Sequence, residues 1–130
     1  EMVLRENGCE VISVNMEWDA MSYAYNKNII LKYWDIIRDT DGCMTNDIGA
    51  LSCLAVARKM GLAIPEQFKI IGYDGTEITN LTYPELSVVE QDCPALAKEC
   101  VDAVLQLIQN KKPESMLRIV PIHWRERGTT

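Results

Sequence analysis

Four places in this chain put polar side chains directly after short apolar runs. Val11, Ile12 and Val14 lead into Asn15, Glu17 and Trp18. Gly42 to Thr45 leads into Asn46 and Asp47. Phe68 to Tyr73 leads into Asp74, and Leu86 to Val89 leads into Gln91 and Asp92. A carboxylate accepts two hydroxyl hydrogens at once, while the amides of Asn and Gln both donate and accept. Tryptophan adds a flat apolar face. Hydroxyl-dense molecules with one CH-rich face, meaning sugars, need that mixture. A phosphate ligand would need Lys, Arg or a glycine-rich loop, and none follows these runs. Trp18, Asn46, Asp74 and Gln91 are therefore the candidate ligand-binding residues.

Three of the four also have a plain structural explanation, and Gln91 by itself is uninformative. Asn46, Asp47 and Asp92 suit helix caps, and Asp74 before Gly75 suits a turn. Trp18 suits a core position. The binding signal lies in the shared edge, not in any one residue. Catalysis is harder to build. A nucleophile needs a neighbouring base, and the one histidine, His123, sits beside Trp124, Arg125 and Arg127 in a strand-like ending. A phospho-receiver reading would use Asp47 or Asp74, but it lacks a late Lys at the same edge. We expect no enzyme, no catalytic residue, no cofactor and no metal site.

Helices and strands must carry these residues to one place. A helix tail over 1–8 ends at Gly8. A strand over Val11–Val14 is followed by a helix from about Ala20 to Asp39. A strand over Gly42–Thr45 precedes a helix running to Met60, stopped by Gly61 and Pro65. Strands over Phe68–Tyr73 and Leu86–Val89 follow, then a helix over 93–108 capped by Asp92 with Pro94 in its first turn. A last strand is expected over Leu117–Ile122. Strands alternating with helices predict an α/β fold, a Rossmann-like parallel sheet flanked by helices. The sugar candidates then stand at the carboxyl ends of successive strands, where open parallel sheets bind ligands.

Two helices differ in pattern. The 93–108 helix is apolar on one stripe, with Leu96, Cys100, Val101, Val104 and Leu107, and needs a single packing partner. The helix after Asn46 is apolar nearly all round through Ile48, Ala50, Leu51, Cys53, Leu54, Ala55, Val56 and Ala57. It must be covered on two sides. A second copy of the chain and a neighbouring helix of the same chain are equally good covers on pattern alone.

The chain has 130 residues, enough for one core, with 48% hydrophobic and 25% charged residues. Its net charge of −6, from 13 basic and 19 acidic residues, opposes a direct grip on a phosphate backbone. No apolar run is long enough to cross a bilayer, and EMVLRENG does not read as a signal peptide. The five cysteines are odd in number and never spaced C-x-x-C. Cys93 and Cys100 on one helix would stand about 10 Å apart, too far for a disulfide. All five are expected to be reduced thiols, mostly small and buried, in a cytoplasmic protein.

Several stretches in order resemble a known family. They are Asp41 to Leu51 (DGCMTNDIGAL), Gly61 to Glu66 (GLAIPE), Ile70 to Asp74 (IIGYD), Tyr83 to Asp92 (YPELSVVEQD) and the ending Ile122 to Thr130 (IHWRERGTT). Together they resemble the effector-binding domain of LacI/GalR-family transcription regulators, and Glu17 to Ser22 is similar to a loop of that family. The resemblance implies the C-terminal lobe of a periplasmic-binding-protein-like fold, here a truncated domain spanning 1–130. The helix within 92–112 would pack on an N-terminal lobe that this chain lacks. Asn46 and Asp74 would hydrogen-bond a small-molecule effector, a sugar by family analogy, Trp18 would supply an aromatic face, and Gln91, the fourth ligand-site residue, would sit at the crossover between lobes. A homodimer would form through Ile48, Leu51, Leu54 or Ala55 and through Ile78, Thr79, Leu81 and Thr82. DNA would be reached only through a headpiece outside this chain. Gly75 stands where the family often carries a second Asp. A periplasmic-type sugar receptor and a phospho-receiver or enzyme using Asp47 or Asp74 are the alternatives.

Overall fold

The computed structural model describes residues 1–15, 22–111, 115 and 117–130. Trp18 and Glu17 fall outside the described residues. The first element is a short helix, α1 (Met2–Glu6). No strand forms over Val11–Val14; the described sheet begins at Gly42. A strand of that length exists only where a neighbouring strand takes up its backbone groups, and among the described residues no strand pairs with it.

The helix expected over 20–39 is two helices. α2 (Tyr23–Lys32) starts at Ser22, whose hydroxyl accepts from the Tyr25 N–H at 3.4 Å. The chain bends at Tyr33 and continues as α3 (Trp34–Ile37). Asn26, Ile30 and Trp34, spaced by four, are the buried side.

Strand β1 (Gly42–Asn46) runs straight into α4 (Asp47–Lys59). Asp47 in the first turn and Arg58 and Lys59 in the last match the helix dipole. Gly61, at φ +86°, ends α4 in a Schellman motif. The Leu62 N–H returns to Ala57 O at 3.0 Å and the Gly61 N–H to Arg58 O at 3.2 Å. Strand β2 (Lys69–Asp74), a 3₁₀ turn over Glu77–Leu81, β3 (Ser87–Gln91), α5 (Cys93–Ile108) and β4 (Ile122–Arg125) complete the chain.

The sheet order is β1-β2-β3-β4. β1, β2 and β3 are parallel, with Asn46 opposite Tyr73 and Asp74 opposite Glu90. β4 is antiparallel to β3, with Gln91 opposite Ile122. The sheet is therefore mixed, and its last strand lies later than the apolar run that predicted it. Leu117 and Ile119 are 71% and 81% exposed, so their hydrophobicity is not spent on the sheet. Ile122–Arg125 instead occupies the free edge of β3.

The core lies between the sheet and α4, with α2 behind. Phe68, Ile70, Leu86 and Val88 meet Ala50, Cys53, Leu54, Val56 and Ala57, which meet Ile30 and Trp34. The second cover of α4 is thus a helix of its own chain. α5 has no buried residue; its stripe, including Val101, Val104, Leu107 and Ile108, stays exposed. Arg118 fastens the returning chain to α5, through Glu99 Oε2 at 2.9 Å and Gln106 Oε1 at 3.1 Å.

The tail closes the sheet at the amino ends of β2 and β3. Thr129 is fully buried; its hydroxyl donates to Ile70 O at 2.7 Å and accepts the Ser87 N–H at 2.9 Å. Arg127 reaches Leu86 O at 2.9 Å and Thr79 Oγ1 at 3.0 Å.

Candidate functional site

Parallel pairing puts the last residues of β1, β2 and β3 at one edge. They are Asn46, Asp74 and Gln91. Three of the four sugar candidates are thereby brought together; the fourth, Trp18, lies outside the described residues.

Asn46 caps α4, its Oδ1 accepting the Gly49 N–H at 2.7 Å. The cap uses the oxygen only, and the Nδ2 donors remain on the same side chain. Capping and ligand contact are therefore compatible roles of one residue. Asp92 is a cap as expected, accepting the Ala95 N–H at 2.9 Å.

Asp74 and Gln91 are joined: Gln91 Nε2 donates to Asp74 Oδ1 at 2.6 Å. Each keeps an acceptor, Asp74 Oδ2 and Gln91 Oε1. The bond fixes both side chains, so a polyhydroxylated ligand meets an arrangement already ordered. Asp74 sits at φ +126°, unusual for any residue with a Cβ. On the neighbouring strand position, Arg125 Nε meets Glu90 Oε2 at 2.6 Å. That hydrogen bond, opposed by desolvation and aided by the guanidinium charge, holds the Glu90 carboxyl below its ordinary range.

Asp47 does something the sequence did not reveal. It is 2% exposed, and its Oδ2 accepts both the N–H and the hydroxyl of Thr76 at 2.7 Å. That clamp ties the start of α4 to the turn that follows Asp74. Asp47 Oδ1 has no hydrogen-bond partner among the described residues and faces Gly72, where a Cβ would come within 2.7 Å of it. A glycine inside a strand was the available signal of a close approach. Asp47 is thus buried and clamped at the start of α4, an arrangement that serves the junction of the two elements.

Of the residues proposed for a dimer face, Leu54 and Thr79 are buried inside their own chain, Leu54 in the core and Thr79 against Arg127. This follows from α4 turning Leu54 toward the sheet and from the tail crossing over Thr79. Ile48, Leu51 and Thr82 are half-buried, and Ala55, Ile78 and Leu81 are exposed. Arg58 donates to Tyr83 O, joining the loop after β2 to α4.

The cysteines remain free, but the expectation that they are mostly buried fails for three of the five. Cys9, Cys93 and Cys100 are exposed, Cys43 is half-buried and Cys53 is buried. Among the described residues no helix is long and apolar enough to cross a membrane.

Comparison with known proteins agrees with this architecture. The sucrose operon repressor of Pediococcus pentosaceus is 36% identical over 51% of this chain, and the ribose operon repressor of Bacillus subtilis is 33% identical over 70%. The matched stretches span 20% and 28% of those two relatives. The solved structure of a LacI family transcriptional regulator from Arthrobacter sp. FB24, in complex with lactose, superposes with a TM-score of 0.82 at 22% identity. It covers 99% of this chain and 48% of that one. The model of the periplasmic binding protein-like domain matches residues 2–130, and the chain belongs to that family, as an effector-binding domain of the LacI/GalR type.

Proposed function

We propose that this chain is the C-terminal, ligand-sensing lobe of a cytoplasmic, non-enzymatic transcription regulator. It would bind a sugar or a related effector at the edge formed by Asn46, Asp74 and Gln91, with Trp18 as the aromatic face. The observation that carries this is the Gln91–Asp74 hydrogen bond at the carboxyl edge, which orders two sugar-type contacts beside the Asn46 amide. The relatives' names fit: they are repressors of sucrose and ribose operons, and a neighbouring structure holds lactose.

In this reading the exposed stripe of α5 is the seat of the other lobe, and the effector lies between the two. Ligand would favour one lobe orientation and so reset the spacing of DNA-binding headpieces carried elsewhere. Two such chains would pair through Ala55, Ile78 and Leu81, with Ile48, Leu51 and Thr82 at the margin. Those residues lie on α4 and the loop that Arg58 joins to it.

The test is NMR of the labelled 130-residue chain titrated with ribose, sucrose and lactose. One sugar should shift the side-chain amides of Asn46 and Gln91 with millimolar affinity, because one wall of the cleft binds weakly. Asp74→Asn should abolish the shifts while leaving the rest of the spectrum in place. Shifts confined to other surfaces, or none with any of the three, would overturn the proposal.

A further inference from the structure

Cys43 on β1 and Cys53 on α4 face one another across the sheet–helix interface, with sulfurs 3.6 Å apart. The other three cysteines are exposed and scattered, so this is the one close thiol pair among the described residues. A disulfide requires about 2.0 Å between sulfurs. The two sulfurs are already in contact, and a disulfide would draw them closer by about 1.6 Å. The bond would close the loop containing Asn46 and Asp47, fastening the corner where β1 hands over to α4.

We propose that Cys43 and Cys53 are a reversible redox pair, which a hydroperoxide converts to an intrachain disulfide. Cys43 is the less buried member of the pair, so we assign it the first encounter with the oxidant. Its sulfur attacks the outer peroxide oxygen, the O–O bond breaks, and an alcohol leaves, giving a sulfenic acid. The Cys53 sulfur then attacks the Cys43 sulfur, the S–O bond breaks, and water leaves. Two thiols and one hydroperoxide become one disulfide, one alcohol and one water; the thiols lose two electrons and the peroxide gains them.

The chemistry also sets the pace. Cys43 donates its proton to Cys53, and this bond, with burial, pushes its thiol well above the ordinary value. The thiolate is the nucleophile, so oxidation is slow near neutrality and quickens with each step of rising pH. This separates the pair from a fast peroxide sensor and makes it a response to sustained oxidation.

The test uses the chain with Cys9→Ser, Cys93→Ser and Cys100→Ser, all exposed sites, leaving two thiols. After tert-butyl hydroperoxide at pH 8, the denatured protein should show no free thiol and a mass lower by two hydrogens. A non-reducing digest should yield one peptide joining Cys43 to Cys53, and dithiothreitol should restore both thiols. The oxidised monomer should unfold at higher urea, because the closed loop limits the unfolded chain. Two surviving thiols, a sulfinic acid on Cys43 without a crosslink, or a crosslink only between molecules would each overturn the proposal. If the triple variant does not fold, the same digest on the unaltered chain decides between these outcomes, since the linked peptide is specific to the pair.

Discussion

Thr129→Val isolates the contribution of the buried tail. The Thr129 hydroxyl is inaccessible to water and makes two hydrogen bonds, giving to Ile70 O at 2.7 Å and taking from Ser87 N at 2.9 Å. Valine nearly preserves the shape and removes both. The Ser87 N–H is then a buried donor without an acceptor, which costs about 1–3 kcal/mol, and the Ile70 carbonyl adds up to about 1 kcal/mol more. The expected loss is therefore about 1–4 kcal/mol, a large part of the ~5–15 kcal/mol that holds a domain together. Urea unfolding should show the midpoint falling by about 0.5–2 M with the slope unchanged. Thr129→Ser keeps the hydroxyl and loses one methyl group, so it should cost only ~1 kcal/mol. A valine variant within about 0.5 kcal/mol of the parent would refute the reasoning. So would a serine variant as damaged as the valine one, since methyl packing would then be the cause.

Leu81 is 82% exposed and contributes little within its own chain. Under the proposed pairing, the parent chain should sediment as a dimer and Leu81→Lys should shift it to monomer while leaving the melting temperature in place; a monomeric parent would refute the pairing, and an unchanged dimer would move the interface elsewhere. The Glu90 carboxyl, lowered by Arg125, should titrate in NMR below an ordinary glutamate, and Arg125→Ala should return it toward that range. Because the folded value is depressed, any stability it adds is present above the unfolded value and fades as pH falls through the folded one. The pair is exposed to solvent, so the pH dependence should change little in unfolding experiments even though the titration shifts clearly.

Elements carrying their own punctuation were legible in the sequence. α4 had Asn46 before it and Gly61 after it, and α5 had Asp92 and Pro94; both helices stand where those signals put them. Strands depended on their neighbours. Val11–Val14 has the composition of a strand and forms none, and the last strand follows the free edge of β3, not the apolar run of Leu117 and Ile119. At the candidate site, the alternation of elements was enough to place Asn46, Asp74 and Gln91 at one edge. The Asp47–Thr76 clamp was hidden, because 29 residues separate the partners and each suits a turn without the other. The cysteines misled for a related reason: composition gives the average burial of a residue type and says nothing of Cys93 on an uncovered helix.

Asp74 shows what the site demands of the backbone. Its φ of +126° is a conformation that costs a residue with a Cβ about 1–3 kcal/mol. Glycine is free of that cost, and Gly75 follows at φ +76° in the same turn. A side chain at 74 is therefore retained against local preference, and what it provides is the carboxylate held by Gln91 at 2.6 Å. Two substitutions separate the strain from the bond. Asp74→Ala and Asp74→Gly both lose the bond to Gln91, but only glycine relieves the strain. Elsewhere in a strand alanine is the more stable of the two by roughly 0.5–1 kcal/mol. Here the order should invert, with the glycine variant more stable in urea by about 1 kcal/mol once its unfolded-state entropy is subtracted. An alanine variant equal to or better than the glycine one would show that the turn holds no strain. The carboxylate would then need no explanation beyond an ordinary strand end.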